Sequence, residues 1–317
     1  MFKLFLSTRP LATKLRFAGL FLSLFLMLFA TLGLVKNGLN FSIEFNGGYI
    51  TEFQSQQSLN VPEVRTAISA LLGQEQAAGL KVSTADQHHF VIRQNLDAAG
   101  ETNQQWFSTL NDTYHGELTL LEANFIGAQV GAELLDQGGM AMLSAILMVL
   151  IYLALRFEWR LAVGAVAALF HDILLVLGLF AWLQVEFDLT VLASILAIIG
   201  YSLNDSIIVA DRLRELMRAN LPRAEVDPLG CAINDAITST LSRTLITSGT
   251  TLATIASIWL LAGPPLAGFS LALFSGIVVG TLSSICISAT LPQLFGLDIN
   301  HYILKADIDR SEQMLMP

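Results

Sequence analysis

The chain has 317 residues, 54% of them hydrophobic and only 14% charged, with a formal net charge of −9. Its mean hydropathy is positive, which places it among membrane proteins and excludes an ordinary soluble or disordered chain. The acidic balance, with no basic stripe to replace counterions, excludes a nucleic-acid surface.

Charge-poor runs at 17–35, 138–155, 161–185, 189–210, 236–262 and 266–291 each approach or exceed the roughly 20 residues needed to cross a hydrocarbon core. Six spans put both ends on one side. Lys3, Arg9, Lys14 and Arg16 precede the first run, and Arg156 and Arg160 fill the second connection. Arg212, Arg214, Arg218 and Arg223 crowd the fourth connection, and Lys305 and Arg310 lie in the tail. The third connection offers only Glu186 and Asp188, and the fifth is a turn around Pro264 and Pro265. By the excess of Lys and Arg on the inner side, both termini are expected in the cytoplasm. The first run reads as an anchor. It is long for the apolar part of a cleaved leader, and no small-x-small site follows it. The expected organisation is residues 1–36 for the N-terminus and first helix, 37–137 for one extracytoplasmic α+β domain, 138–297 for helices two to six with a cytoplasmic loop at 211–235, and 298–317 for a cytoplasmic tail.

Residues 37–137 hold twelve acidic side chains against Arg65, Lys81 and Arg93, the composition of a solvated exterior. Phe41, Ile43, Phe45, Gly47, Tyr49, Thr51 and Phe53 alternate with mostly polar neighbours and predict one strand, with a bulge at Gly47 and Gly48 or a hairpin turn at Asn46. Asn60 with Glu63 opens a helix that buries Val64, Ile68 and Leu71 and stops at Gly73. Two short strands follow at 79–84 and 88–94. Thr102 with Gln105 opens a second helix carrying Trp106, Leu110 and Tyr114, and 117–126 supplies a last strand. The order strand, helix, strand, strand, helix, strand is the ferredoxin-like arrangement. His88 and His89, adjacent on a strand, point to opposite faces and make a poor metal pair. Cys231 and Cys286 both fall outside this segment, so no disulfide framework is implied.

Two opposite charges interrupt the apolar spans. Asp205 lies six residues from the cytoplasmic end of the fourth span and Arg243 eight residues into the fifth, depths of about 9 and 12 Å at helical rise. Charge at that depth costs roughly 2.5 to 3.5 kcal/mol per residue and is kept where it is used, so an ion pair on facing helices and a proton- or ion-coupled machine are expected. Arg243 has an alternative, reaching back to the cytoplasmic surface. Ser239, Arg243, Thr247, Thr250, Thr254 and Ser257 form one polar stripe on the fifth span. Ala193, Ala197, Gly200 and Asn204 form a small-residue face beside Asp205. Simple packing, with hydroxyls bonded to their own backbone, is the competing account of both. His171 and Asp172 sit near the middle of the third span, as a polar packing contact or as a functional acid. No nucleophile triad, phosphate loop or zinc spacing is visible, so hydrolytic chemistry by this chain alone is not expected.

The string GYSLNDSIIVADRLRE at 200–215 closely resembles the fourth-span signature of SecF-type members of the SecD/SecF family of bacterial protein translocase subunits. FSIEFNGGYITEF at 41–53, LRFEWRLAVG at 155–164, HDILLVLG at 171–178 and LSRTLITSGTTL at 241–252 resemble the same family. The resemblance implies an inner-membrane subunit that pairs with SecD, associates with YajC and the SecYEG channel, and uses the proton gradient to draw secreted, unfolded polypeptides out of the far side. No cofactor is implied beyond protons. The family's proton-pathway acid and arginine fall on Asp205 and Arg243, flanked by Asn204 and Thr247, and Asp172 matches an HD pair whose role is left open. Two other readings stand beside it: a scaffold for SecD and YajC whose charges only pack helices, and half of a proton-driven small-molecule exporter.

Overall fold

The computed structural model describes residues 9–72, 80–84, 87–95, 105–219, 228–299 and 302. In chain order the elements are α1 (Arg9–Asn37), β1 (Asn40–Phe41), the short α2 (Ile43–Asn46), β2 (Gly48–Ser55), α3 (Val61–Leu72), β3 (Leu80–Thr84), β4 (His89–Asn95), α4 (Gln105–Thr113) and β5 (Leu118–Ile126). There follow α5 (Ala128–Arg156), α6 (Trp159–Leu183), β6 (Glu186–Phe187), α7 (Leu189–Arg218), α8 (Pro228–Leu261) and α9 (Ala267–Ser283), which runs on through a π-helical turn at Ser284–Ser288 to α10 (Leu291–Leu294). Six helices, α1 and α5 to α9, are long and apolar enough to cross a membrane, each overlapping one expected span. The protein is a multi-pass, mainly helical membrane protein.

Several helices outrun their apolar runs. α5 begins at Ala128 rather than 138, because Leu134 and Phe45 pack in one cluster and carry the helix past the apolar boundary. A methyl on Gly131 would come within 2.8 Å of the Phe45 carbonyl carbon, so α2 rests directly on α5. α8 begins at Pro228, a residue suited to a first helical position where no N–H bond is needed.

In the outer segment β3, β4, β2 and β5 form an antiparallel sheet in that order. Val64 and Ile68 of α3 and Trp106 and Leu110 of α4 are buried with Phe53, Phe90 and Ile92 of the strands. Glu63 accepts from the Asn60 N–H at 3.2 Å, as the capping pattern requires. Leu71 is exposed rather than buried. Gly73 and Thr102 lie outside the described residues. The single strand expected over 41–53 is two pieces. Ser42 caps α2 by accepting from Glu44 N, and Gly47 follows at φ 79°, a left-handed conformation that ends the turn and lets β2 start afresh. The register irregularity falls between Glu52 and Phe53, not at the glycines.

Besides the contact of α2 with α5, a seam joins the outer segment to the connection between α6 and α7. β1 pairs in parallel with β6, Leu189 N donates to Glu44 at 2.8 Å, and Lys81 pairs with Glu186 at 2.8 Å. Asp188 caps α7 by accepting from Val191 N at 2.8 Å. Within the membrane, α6 buries 56% of its most apolar stretch, against 17% for α8 and 11% for α1 and α5. α6, α7 and α9 therefore form the centre, while α1, α5 and α8 present long faces to whatever surrounds the chain. α1 meets α6 at backbone distance, where a methyl on Gly178 would lie 2.6 Å from Ala30 Cα.

Candidate functional site

Asp172 is fully buried where α6, α7 and α9 meet. A ring nitrogen of His171, Nδ1, lies 2.9 Å from its Oδ1. Ser202 of α7 donates to Oδ2 at 2.5 Å and Ser283 of α9 donates to the same oxygen at 2.9 Å. The approach depends on Gly280, where an added methyl would sit 3.3 Å from Asp172 Oδ2 and 3.4 Å from Ser202 Cβ. Ser283 is the last residue before the π-helical turn, and such local widening often re-aims side chains at functional places.

Asp205 follows Ser202 by three residues on α7, so the two share a helical face. It is 1% exposed. Neither of its oxygens has a hydrogen-bond partner among the described residues, and the neighbouring Ser206 hydroxyl is also buried without one. Asn204, one step round the helix, is exposed together with Ala193, Ala197 and Gly200, and nothing lies within 4 Å of a methyl built on Gly200. The small-residue face of α7 is therefore bare.

α8 carries the other half. Arg243 is exposed along with Ser239, Thr250, Thr254 and Ser257, so the polar stripe points away from this chain's own bundle. Its hydroxyls bond their own helix: Thr247 donates to the carbonyls of Arg243 and Thr244, both at 3.0 Å, and Thr250 to that of Ile246 at 2.9 Å. The expected direct ion pair between Asp205 and Arg243 is not formed, because the arginine lies on the outward face of α8 and the acid on the inward face of α7. Tyr201 ties the two helices, donating to Thr247 O at 2.9 Å and meeting Thr251 Oγ1 at 2.6 Å. No group of metal-ligating side chains is found among the described residues.

Asp172 and Asp205 are thus both buried, the first bonded to Ser202 one turn before the second on α7, whereas Asn204, Arg243 and most of the α8 stripe are exposed. Residues 107–297 match the family model described as protein export membrane protein SecD/SecF, C-terminal. The chain is 38% identical over 280 residues to the protein translocase subunit SecF of Vibrio alginolyticus, covering 88% of this chain and 87% of that one. It is 36% identical to the SecF of Escherichia coli O157:H7, covering 84% and 81%. The chain belongs to the SecF branch of the SecD/SecF family. Among solved structures it is similar to SecDF, a translocon-associated membrane protein from Thermus thermophilus, at 30% identity and a TM-score of 0.74, with 90% of this chain covered. It spans 38% of that SecDF chain. A SecDF structure in a super-membrane-facing form is similar at 28% identity and a TM-score of 0.61.

Ser202, Ser283 and Tyr201 escaped the sequence reading. A hydroxyl three residues before a membrane acid was the available signal for Ser202. For Ser283 no spacing pointed across to α6, since its partner lies on a helix far away in sequence.

Proposed function

We propose that this chain is the accessory subunit of the Sec preprotein translocase that works with SecD to convert the proton motive force into late-stage export of secreted polypeptides across the bacterial inner membrane. The reading is supported by relatives named protein translocase subunit SecF along most of their length. The observation that carries it is Asp205, buried to 1% exposure with no hydrogen-bond partner among the described residues, on a helix packed against one whose exposed polar face carries an arginine. An ionised carboxylate left without donors at membrane depth is strongly disfavoured, so its charge depends on what approaches it. In the proposal Asp205 takes up and releases the coupling proton, Arg243 balances the ionised form, Asn204 and Thr247 border the path, and Asp172 holds the helices that move. Protons are the coupling ion, without a further cofactor. One proton crossing about 150 mV releases roughly 3.5 kcal/mol, while a swing of a two-state equilibrium from 1:99 to 99:1 takes about 5.5, so one proton drives part of such a swing and two cover it.

The partner is SecD. A bare small-residue face on α7 and a bare polar stripe on α8, side by side, suit a second helical subunit that approaches closely and covers Arg243. YajC and the SecYEG channel complete the assembly, with the unfolded polypeptide as client. The outer domain, 37–137, is ferredoxin-like and periplasmic, which agrees with its strand order and acidic surface, and the N-terminus, the 211–235 loop and the 298–317 tail are cytoplasmic.

Asp205→Asn tests the reading. Assembly with SecD, followed by co-purification, is expected to survive, while gradient-stimulated export in a pulse-chase of a secreted protein is expected to be lost. Normal export in that variant rejects the proposal, and a loosened complex with export reduced only in proportion assigns the charges to scaffolding.

A further inference from the structure

At the end of the membrane bundle opposite the outer domain, the last turns of α5 and α7 enclose two adjoining cavities of about 470 and 330 Å³. Arg156, Arg214 and Arg218 line both. Three acids also border them, and each is matched by an arginine. Asp211 is held by Arg156 at 2.8 Å, Glu215 by Arg212 at 2.6 Å, and Glu158 by Arg160 at 2.5 Å. Arg214 and Arg218 are left over. Among the described residues neither forms an ion pair; Arg214 donates only to the Arg156 carbonyl at 3.4 Å, and the Arg218 Nε is buried without an acceptor. Tyr302 lines the smaller cavity, where burial and the nearby Glu158 carboxylate push its phenol up.

The cavities open onto an apolar track. Leu155 lines the smaller one and is 84% exposed, and Met148, Ile151 and Tyr152 above it on α5 are exposed at helical spacing. Two guanidiniums that form no ion pair among the described residues, directly beneath an uncovered apolar stripe, match the two parts of one molecule. We propose that the cavity lined by Arg156, Arg214 and Arg218 binds the phosphate headgroup of an anionic phospholipid, with an acyl chain lying along the Met148–Leu155 face of α5. Guanidinium forks recognise phosphate through paired charge-assisted hydrogen bonds, and basic pockets between membrane helices are the expected sites for anionic headgroups. This site is independent of Asp205 and of the proposed export role.

The test uses the full-length purified protein in detergent, titrated with phosphatidylglycerol or phosphatidylcholine and followed by native mass spectrometry and by thermal unfolding. Phosphatidylglycerol is expected to remain bound and to raise the unfolding temperature. The double variant Arg214→Gln, Arg218→Gln should weaken that binding at least about tenfold while unfolding normally without lipid. The Lys versions of both positions should recover part of the binding, and Arg65→Gln, on α3 of the outer segment and outside the cavities, should bind like the parent. Equal binding of phosphatidylcholine, or unchanged phosphatidylglycerol binding by the double variant, overturns the proposal. Competition by inorganic phosphate at millimolar concentration, with no dependence on acyl chains, overturns the lipid assignment in favour of a soluble phosphate.

Discussion

Asp172 and Asp205 are both buried carboxylates of the central helices, and their surroundings are opposite. Asp172 has a histidine nitrogen and two serine hydroxyls within 2.9 Å, drawn from α6, α7 and α9. Asp205 has no partner on either oxygen among the described residues. A satisfied acid joining three helices behaves as a joint, since moving any one helix breaks a hydrogen bond in a medium that offers no replacement. An unsatisfied acid gains from a change of neighbour or of protonation. Burial alone thus does not single out the working residue; the balance of donors does.

The comparison breaks most visibly at the joint. Asp172→Ala removes the partner of the His171 ring and of two serine hydroxyls, of which Ser283 keeps the Gly280 carbonyl at 3.1 Å, and is expected to lower stability by about 3 kcal/mol, the sum of three modest buried bonds. Unfolding of the purified protein in mixed micelles checks this, and a loss below about 1 kcal/mol would mean that the three contacts do not hold the helices. Gly280→Ala presses a methyl to 3.3 Å from an oxygen already pinned by two hydroxyls. Because that oxygen has little freedom to give way, a loss of about 1 to 2 kcal/mol is expected by the same measurement. Ser202→Ala removes one donor while Ser283 still serves the same oxygen, so about 1 kcal/mol or less is expected. A loss equal to that of Asp172→Ala would place the whole joint on one hydroxyl.

The spans were legible because crossing a bilayer demands a length of apolar sequence that little else produces, and Asp205 and Arg243 stood out against it. The outer sheet was legible from alternation and capping pairs such as Asn60 with Glu63. What stayed hidden depends on neighbours far away in sequence. The run from Phe41 to Phe53 alternates throughout, yet its first part is drawn into a helical turn by Ser42 and by packing of Phe45 on α5. The α8 stripe was visible as a stripe, but its direction was not, since the side that α7 and α9 occupy is set by packing. Asp172 was visible as a membrane acid, while its two serine donors were indistinguishable from hydroxyls that only pack.

Asp205→Asn carries the smallest expected change in stability and the sharpest contrast. The amide keeps the shape of the carboxyl group and removes only its capacity for charge, and no hydrogen bond among the described residues depends on that charge. Stability is therefore expected to stay within about 0.5 kcal/mol of the parent, although the variant is predicted to abolish gradient-stimulated export. A loss above about 2 kcal/mol would show that Asp205 has a structural partner and would make it a second joint like Asp172. The informative result is the pairing of the two measurements: Asp172→Ala weakens the fold and with it everything the fold supports, whereas Asp205→Asn leaves the fold and removes a buried acid that has no hydrogen-bond partner among the described residues.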